Sequence, residues 1–308
     1  MEVKNIVSTK VKLKNWELDN PVIPASGTFG FGREYLDFYD INILGSISIK
    51  GTTVMPRGGN PQPRIAECPC GLINSVGLEN PGMERVIAEE LSNLKQVYNK
   101  KVIANISGFS FNEYVELAKA MDKVENVGIL EVNISCPNVD HGGMAFGTDS
   151  NNVEKLTYML KESTKKPVYM KLSPNVTDIS EIAKSAQRGG ADGIALINTL
   201  LGMRIDVKNR KPVIANKKGG YSGPGIFPVA LRMVYEVFET VDLPIIGMGG
   251  VSSSNDVLEM IMAGATAVEI GGANLVNPMI CKEIIDELPK EMERLEIKSL
   301  DEITGCAH

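Results

Sequence analysis

Cysteine is scarce in this chain and follows no pairing pattern: Cys68, Cys70, Cys136, Cys281 and Cys306 are an odd set, and only Cys68 and Cys70 lie close together. With no second Cys or His pair at zinc-site spacing, no metal centre is expected, and a disulfide framework is not expected either. The role of Cys68 and Cys70 stays open. Long apolar runs are missing too. None approaches the roughly 20 residues that span a bilayer, and Met1-Glu-Val-Lys-Asn5 carries no signal-peptide core. Positive charge is in deficit, with 32 basic against 38 acidic residues and a formal net charge of −6. That balance argues against nucleic acid or an anionic membrane surface as the main partner. There is no low-complexity tract, no linker and no Gly-x-Gly-x-x-Gly turn for a dinucleotide. The expectation is a cytoplasmic protein with one domain spanning residues 1–308, no metal, no nucleic-acid partner and no membrane partner.

The chain contains a repeated theme. After an alternating stretch from Val7 to Leu18, which suits a short antiparallel hairpin plugging one end of the fold, it cycles through an apolar strand, a turn rich in Gly, Ser or Asn, and an amphipathic helix. Eight such strands are expected near Val22–Ala25, Leu44–Ile49, Val102–Ile106, Ile129–Ile134, Val168–Leu172, Gly193–Ile197, Ile245–Met248 and Ala267–Ile270. This is the pattern of an α/β protein, a (β/α)8 TIM barrel. Ser110-x-x-Glu113 and Asp178-x-x-Glu181 read as helix-start boxes. Asn80-Pro81 reads as the opening of a helix whose Met83, Val86, Ile87, Leu91, Leu94 and Tyr98 share a face. Residues 51–101 and 199–244 are too long for simple connections. Both leave strand C-termini, so they are expected as insertions over the C-terminal face of the barrel.

In a parallel barrel the chemistry gathers where strands end. The ends here carry Ser26, Lys50, Asn105, Asn133 with Cys136, Lys171, Asn198 and the pairs Gly249-Gly250 and Gly271-Gly272. An ammonium in a barrel mouth must be paired or must meet an anion, because an isolated buried charge is costly. Bare glycine backbone after the seventh and eighth strands suits a phosphate, and the turn Tyr221-Ser222-Gly223-Pro224-Gly225 could close the same pocket. A phosphate cradle, two lysines, several amides and a thiol fit FMN, with a lysine near the ring edge that becomes anionic on reduction. A sugar-phosphate would satisfy the cradle but would leave the amides without a role.

Several motifs then carry a resemblance: Pro24-Ala-Ser-Gly27, Ile49-Lys-Gly-Thr52, Asn74-Ser-Val-Gly-Leu-Glu-Asn80, Asn133-Ile-Ser-Cys-Pro-Asn138, Lys171-Leu-Ser173 and the two Gly-Gly turns. Taken together, in this order and over nearly the whole chain, they resemble class 1 dihydroorotate dehydrogenases. The resemblance implies oxidation of dihydroorotate to orotate in pyrimidine biosynthesis, with Cys136 as the base. It implies substrate contacts from Lys50, Asn74, Gly77, Leu78, Asn133, Asn138, Asn198 and Thr199. It implies FMN contacts from Ser26, Lys50, Asn105, Asn133, Lys171, Ile197, Ser222, Gly223, Gly249, Gly250, Gly271 and Gly272. Val76 and the Gly77-Leu-Glu-Asn-Pro81 run are more similar to the 1B type. That type implies a homodimer joined by a subunit carrying FAD and a 2Fe-2S cluster, a heterotetramer delivering electrons to NAD. The alternatives are a self-sufficient 1A enzyme reducing fumarate and a non-redox sugar-phosphate barrel. His141 reads as a lid residue within Val139 to Asp149, a glycine-containing loop expected to order over the bound product.

Overall fold

The computed structural model describes residues 7–134 and 146–308. Seven parallel strands, Val22–Pro24, Val102–Ile106, Val127–Asn133, Val168–Lys171, Gly193–Leu196, Ile245–Met248 and Ala267–Ile270, lie side by side in one curled sheet. Its two edge strands are the first and the second of these. The segment from Gly45 to Thr52 fits between them and closes the ring. On one side Gly45 and Ser48 donate their N–H groups to Val22 and Pro24; on the other Ile49 donates to Ile103, Ile103 donates to Ile47, and Thr52 donates to Asn105. Its regular pairing is interrupted, as only Ser48–Ile103 and Thr52–Ile106 form parallel bridges. At Gly45 the Asn20 carbonyl oxygen approaches so closely that a Cβ would stand 2.2 Å from it. Seven of the eight expected strands are thus present; the one expected near Leu44–Ile49 is an irregular segment, tied to both neighbours, that takes the second place in the ring, and the fold is a TIM barrel.

The strands read as near-continuous apolar runs because both faces are buried, the outer one under helices. Helices Phe111–Asp122, Ser150–Lys161, Ile179–Arg188, Phe227–Phe238, Ser254–Met262 and Ile280–Arg294 form that outer layer. Their starts follow side-chain chemistry. Ser110 accepts from the Glu113 N–H, Asp149 from Asn152, Asp178 from Ser180 and Glu181, and Ser253 from Asp256. At the first of these the box is shifted by one residue, since Glu113 accepts from the N–H of Phe109 and not of Ser110. The helix expected after Asn80 begins at Met83 and passes through a π-turn at Val86–Glu90 before continuing over Leu91–Lys95. The five-residue step from Val86 to Leu91, both buried, matches the wider turn.

The hairpin Val11–Leu13 with Trp16–Leu18 covers the strand N-termini, where Trp16 packs beside Gly128 and Lys14 pairs with Asp192. At the opposite end the two long insertions meet. Strands Ile65–Cys68 and Gly71–Asn74 from one, and Leu200–Met203 and Lys218–Ser222 from the other, form a four-stranded antiparallel sheet. The joining register pairs Leu72 with Ser222, Ile73 with Tyr221 and Asn74 with Gly220. This sheet roofs the barrel mouth. No helix among the described residues is long and apolar enough to cross a membrane.

Candidate functional site

Between roof and barrel lies a cavity of ≈ 280 Å³. Its floor comes from strand ends: Ser26, Lys50, Asn105, Asn133, Lys171, Asn198 and Gly249-Gly250 all line it. From the insertions come Asn74, Gly77, Leu78 and Ser222. Ile197, Thr199, Gly271 and Gly272 complete the set expected from the sequence, apart from Gly223, Cys136 and Asn138. Gly223 stands immediately behind the lining: a Cβ on Gly272 would lie 3.4 Å from its nitrogen. Cys136, Asn138 and His141 lie outside the described residues, as does most of the 139–149 loop.

The glycine cluster shows why side chains are excluded from this end of the cavity. Gly249 and Gly250 have φ of 126° and 81°, where a Cβ is strained. A Cβ on Gly250 would also come within 2.7 Å of the Phe227 nitrogen and 2.8 Å of the Gly223 oxygen, both backbone. The turns after the seventh and eighth strands thus converge with Gly223 ahead of the helix Phe227–Phe238, an arrangement that suits a phosphate. Gly250→Val, by strain and clash together costing about 2 kcal/mol, is expected to weaken flavin binding by roughly 10- to 100-fold. Flavin retained on purification and a fluorescence titration would check this.

The two lysines differ in kind. Lys171 is buried against two buried carboxylates, 3.0 Å from Glu131 and 3.3 Å from Glu269. Burial works against its charge, but the two glutamates outweigh it and hold the ammonium above the usual lysine range. The Lys50 ammonium has no hydrogen-bond acceptor or ion-pair partner among the described residues, and burial lowers it below an ordinary lysine, with Glu79 opposing. Among the described residues lining the cavity, Lys50 is thus placed to meet an anionic ligand.

The amides are fixed by their neighbours. Asn198 donates to the Asn133 side-chain oxygen at 3.2 Å, and its own oxygen accepts from Thr199 N–H at 2.7 Å. Asn133 is steadied through its carbonyl, which accepts from Tyr114 hydroxyl at 2.7 Å. Asn80 braces the loop that carries Gly77 and Leu78, donating to the Leu78 carbonyl and accepting from Thr53 and Gly82. Asn105 donates to Glu131, while its side-chain oxygen is buried with no partner among the described residues. A buried acceptor left bare in a ligand cavity awaits a donor, and the N–H of a flavin ring is one that fits. The apolar lining, including Ile65, Leu72, Ile226 and Met248, escaped the sequence reading. Strand alternation in the roof was its only trace. Glu131 and Glu269 escaped it as well.

The chain is similar to known proteins over nearly its whole length. The family model described as dihydroorotate dehydrogenase matches residues 8–292. A curated protein of Bacillus cytotoxicus named dihydroorotate dehydrogenase B (NAD(+)), catalytic subunit, is 54% identical over 296 residues, covering 96% of each chain. One of Halalkalibacterium halodurans with the same name is 54% identical over 295 residues, again 96% of each. Among solved structures, the dihydroorotate dehydrogenase of Eimeria tenella in complex with ferulenol superposes with a TM-score of 0.81 at 20% identity, covering 100% of this chain and 90% of that one. That likeness concerns the fold.

Proposed function

Because the chain belongs to the dihydroorotate dehydrogenase family, we propose that it oxidises dihydroorotate to orotate in pyrimidine biosynthesis, as the catalytic subunit of an NAD-linked enzyme. The observation that carries the reading is the convergence on one cavity of Lys50, whose ammonium has no partner among the described residues, the Asn74, Asn133 and Asn198 amides, and the Gly249-Gly250 and Gly271-Gly272 turns. The non-redox alternative gives no role to these amides. The fumarate-reducing alternative has less support, since the similar curated proteins carry NAD(+) in their names.

FMN, when bound, would accept hydride from C6 of the substrate. The glycine turns would hold its phosphate, with Ser26, Asn105, Ile197, Ser222 and Gly223 around the rest. Lys171 would face the ring, oriented by Glu131 and Glu269. Asn74, Asn138 and Asn198, with Thr199 and the backbone of Gly77 and Leu78, would fix the pyrimidine and its carboxylate. Asn133 and Lys50 would serve both ligands. Cys136 would take the C5 proton. A single barrel domain supplies all these groups, and pairs of such chains are proposed to associate with partner subunits carrying FAD and a 2Fe-2S cluster. The direct test is anaerobic: the purified chain should carry FMN, and dihydroorotate should bleach its absorption. A colourless chain that binds no FMN would overturn the reading.

Lys50 adds a pH dependence. Its charged form is disfavoured when the cavity holds no anion, and a bound carboxylate would favour it, so ligand binding draws a proton onto Lys50. Orotate affinity should therefore be highest below the lowered pKa of free Lys50 and fall as pH rises through it. Lys50→Gln should lose this dependence and bind orotate about ten- to 100-fold more weakly, the cost of one charge-assisted hydrogen bond. Spectral titration of orotate across pH in both proteins checks it.

A further inference from the structure

Inside the barrel, Lys171 is surrounded by more negative charge than it can neutralise. Glu131 and Glu269 come from the fourth and eighth strands and are both fully buried. The Lys171 ammonium donates to one oxygen of each. Their other hydrogen-bond partners among the described residues are neutral: Asn105 donates to Glu131, and the Ser48 hydroxyl lies 3.4 Å from it. Among the described residues no second cation reaches either carboxylate. Two ionised carboxylates on one ammonium would leave a net buried negative charge, which a low-dielectric interior does not tolerate. Oxygen accounting leads to the same place. Glu131 Oε2 and Glu269 Oε1 are buried with no partner among the described residues, and the two carboxyl groups converge on the same ammonium.

We propose that Glu269 is held as the neutral acid and donates its proton to Glu131, making the cluster a charge-neutral unit that positions Lys171. Two of the ammonium's three donors are then spent on glutamates and the third is left for the cavity that Lys171 lines. The electrostatics run the same way. Burial, and then the neighbouring Glu131, push Glu269 well above the ordinary carboxyl range; burial would also raise Glu131, but Lys171 holds it below. Both glutamates are positioning residues, acting through the lysine. The target of the third donor rests on the flavin reading; the shared proton does not.

Infrared spectroscopy of the flavin-free chain in D2O tests the proton by itself. The wild type should show the carbonyl stretch of a buried carboxylic acid. Glu269→Gln should abolish it because the acid is gone. Glu131→Gln should also abolish it, because Glu269 then ionises as the sole counterion of Lys171. Absence of the band in the wild type, or its persistence in either variant, would overturn the shared proton. Titration with FMN tests the positioning: Glu131→Gln, which puts a neutral amide in place of the charged acceptor and shifts the charge to Glu269, should bind FMN about tenfold more weakly. Unchanged affinity in a variant that has lost the band would overturn the positioning role. Failure of the wild type to bind FMN would count instead against the flavin reading.

Discussion

Replacing Cys136 with serine is expected to slow dihydroorotate oxidation at neutral pH by about 10²- to 10⁴-fold, the usual contribution of a positioned general base. A thiol, with an unperturbed pKa of about 8.5, can supply its conjugate base near neutrality, whereas a serine hydroxyl is a far weaker acid. The variant should therefore regain rate as pH climbs, and its profile should lack the inflection of the thiol. Flavin binding should survive, since the cofactor contacts are assigned to other residues. Covalent geometry permits the role. Asn133 lines the cavity, and three residues of chain reach at most about 11 Å. Rapid-mixing measurement of flavin reduction against pH isolates the half-reaction, and an unchanged rate and profile would remove the thiol as the base.

The second large effect concerns where the electrons go. The purified chain alone should oxidise dihydroorotate with an artificial dye, yet produce no NADH above background. The sequence has no Gly-x-Gly-x-x-Gly turn to hold NAD. Nor can it relay electrons through an iron–sulfur centre of its own, since Cys68 and Cys70 supply two ligands where such a cluster takes four. Among the described residues no group of three His, Cys, Asp or Glu side chains is placed to hold a metal. Adding the partner subunit should restore NAD reduction. Efficient NADH formation by the chain alone would refute the two-subunit assignment, and brisk turnover with fumarate would favour the homodimeric type.

Much of this was legible in the amino-acid order because strand ends in a barrel obey simple rules. Lys50, Asn105, Asn198 and the two Gly-Gly turns interrupt apolar runs, and an interruption at a strand's C-terminus can only face the mouth. Glu131 was misleading for the same reason. Set between Leu130 and Val132, it reads as the polar member of an alternating, half-exposed strand, but in a closed barrel both strand faces are buried and the inward one can carry charge if partners are present. Those partners lie far along the chain, Lys171 40 residues beyond Glu131 and Glu269 a further 98 beyond Lys171, and only closure of the ring brings them together. The roof was half legible: the composition of each insertion placed it over the mouth, but nothing local revealed that Leu72 would pair with Ser222.

That pairing also sets an order of assembly. The strands Gly71–Asn74 and Lys218–Ser222 join segments about 150 residues apart, so the loop between them must close before the roof exists, and four of the barrel strands lie inside that loop. The cavity floor waits longer still, for Glu269 and the Gly271-Gly272 turn. During synthesis the chain can thus fold its early strands and helices locally, but it has no complete cofactor pocket until nearly all of it has been made. On the proposed flavin reading, the cofactor can meet its whole pocket only once the last barrel strand and the turn after it have been made.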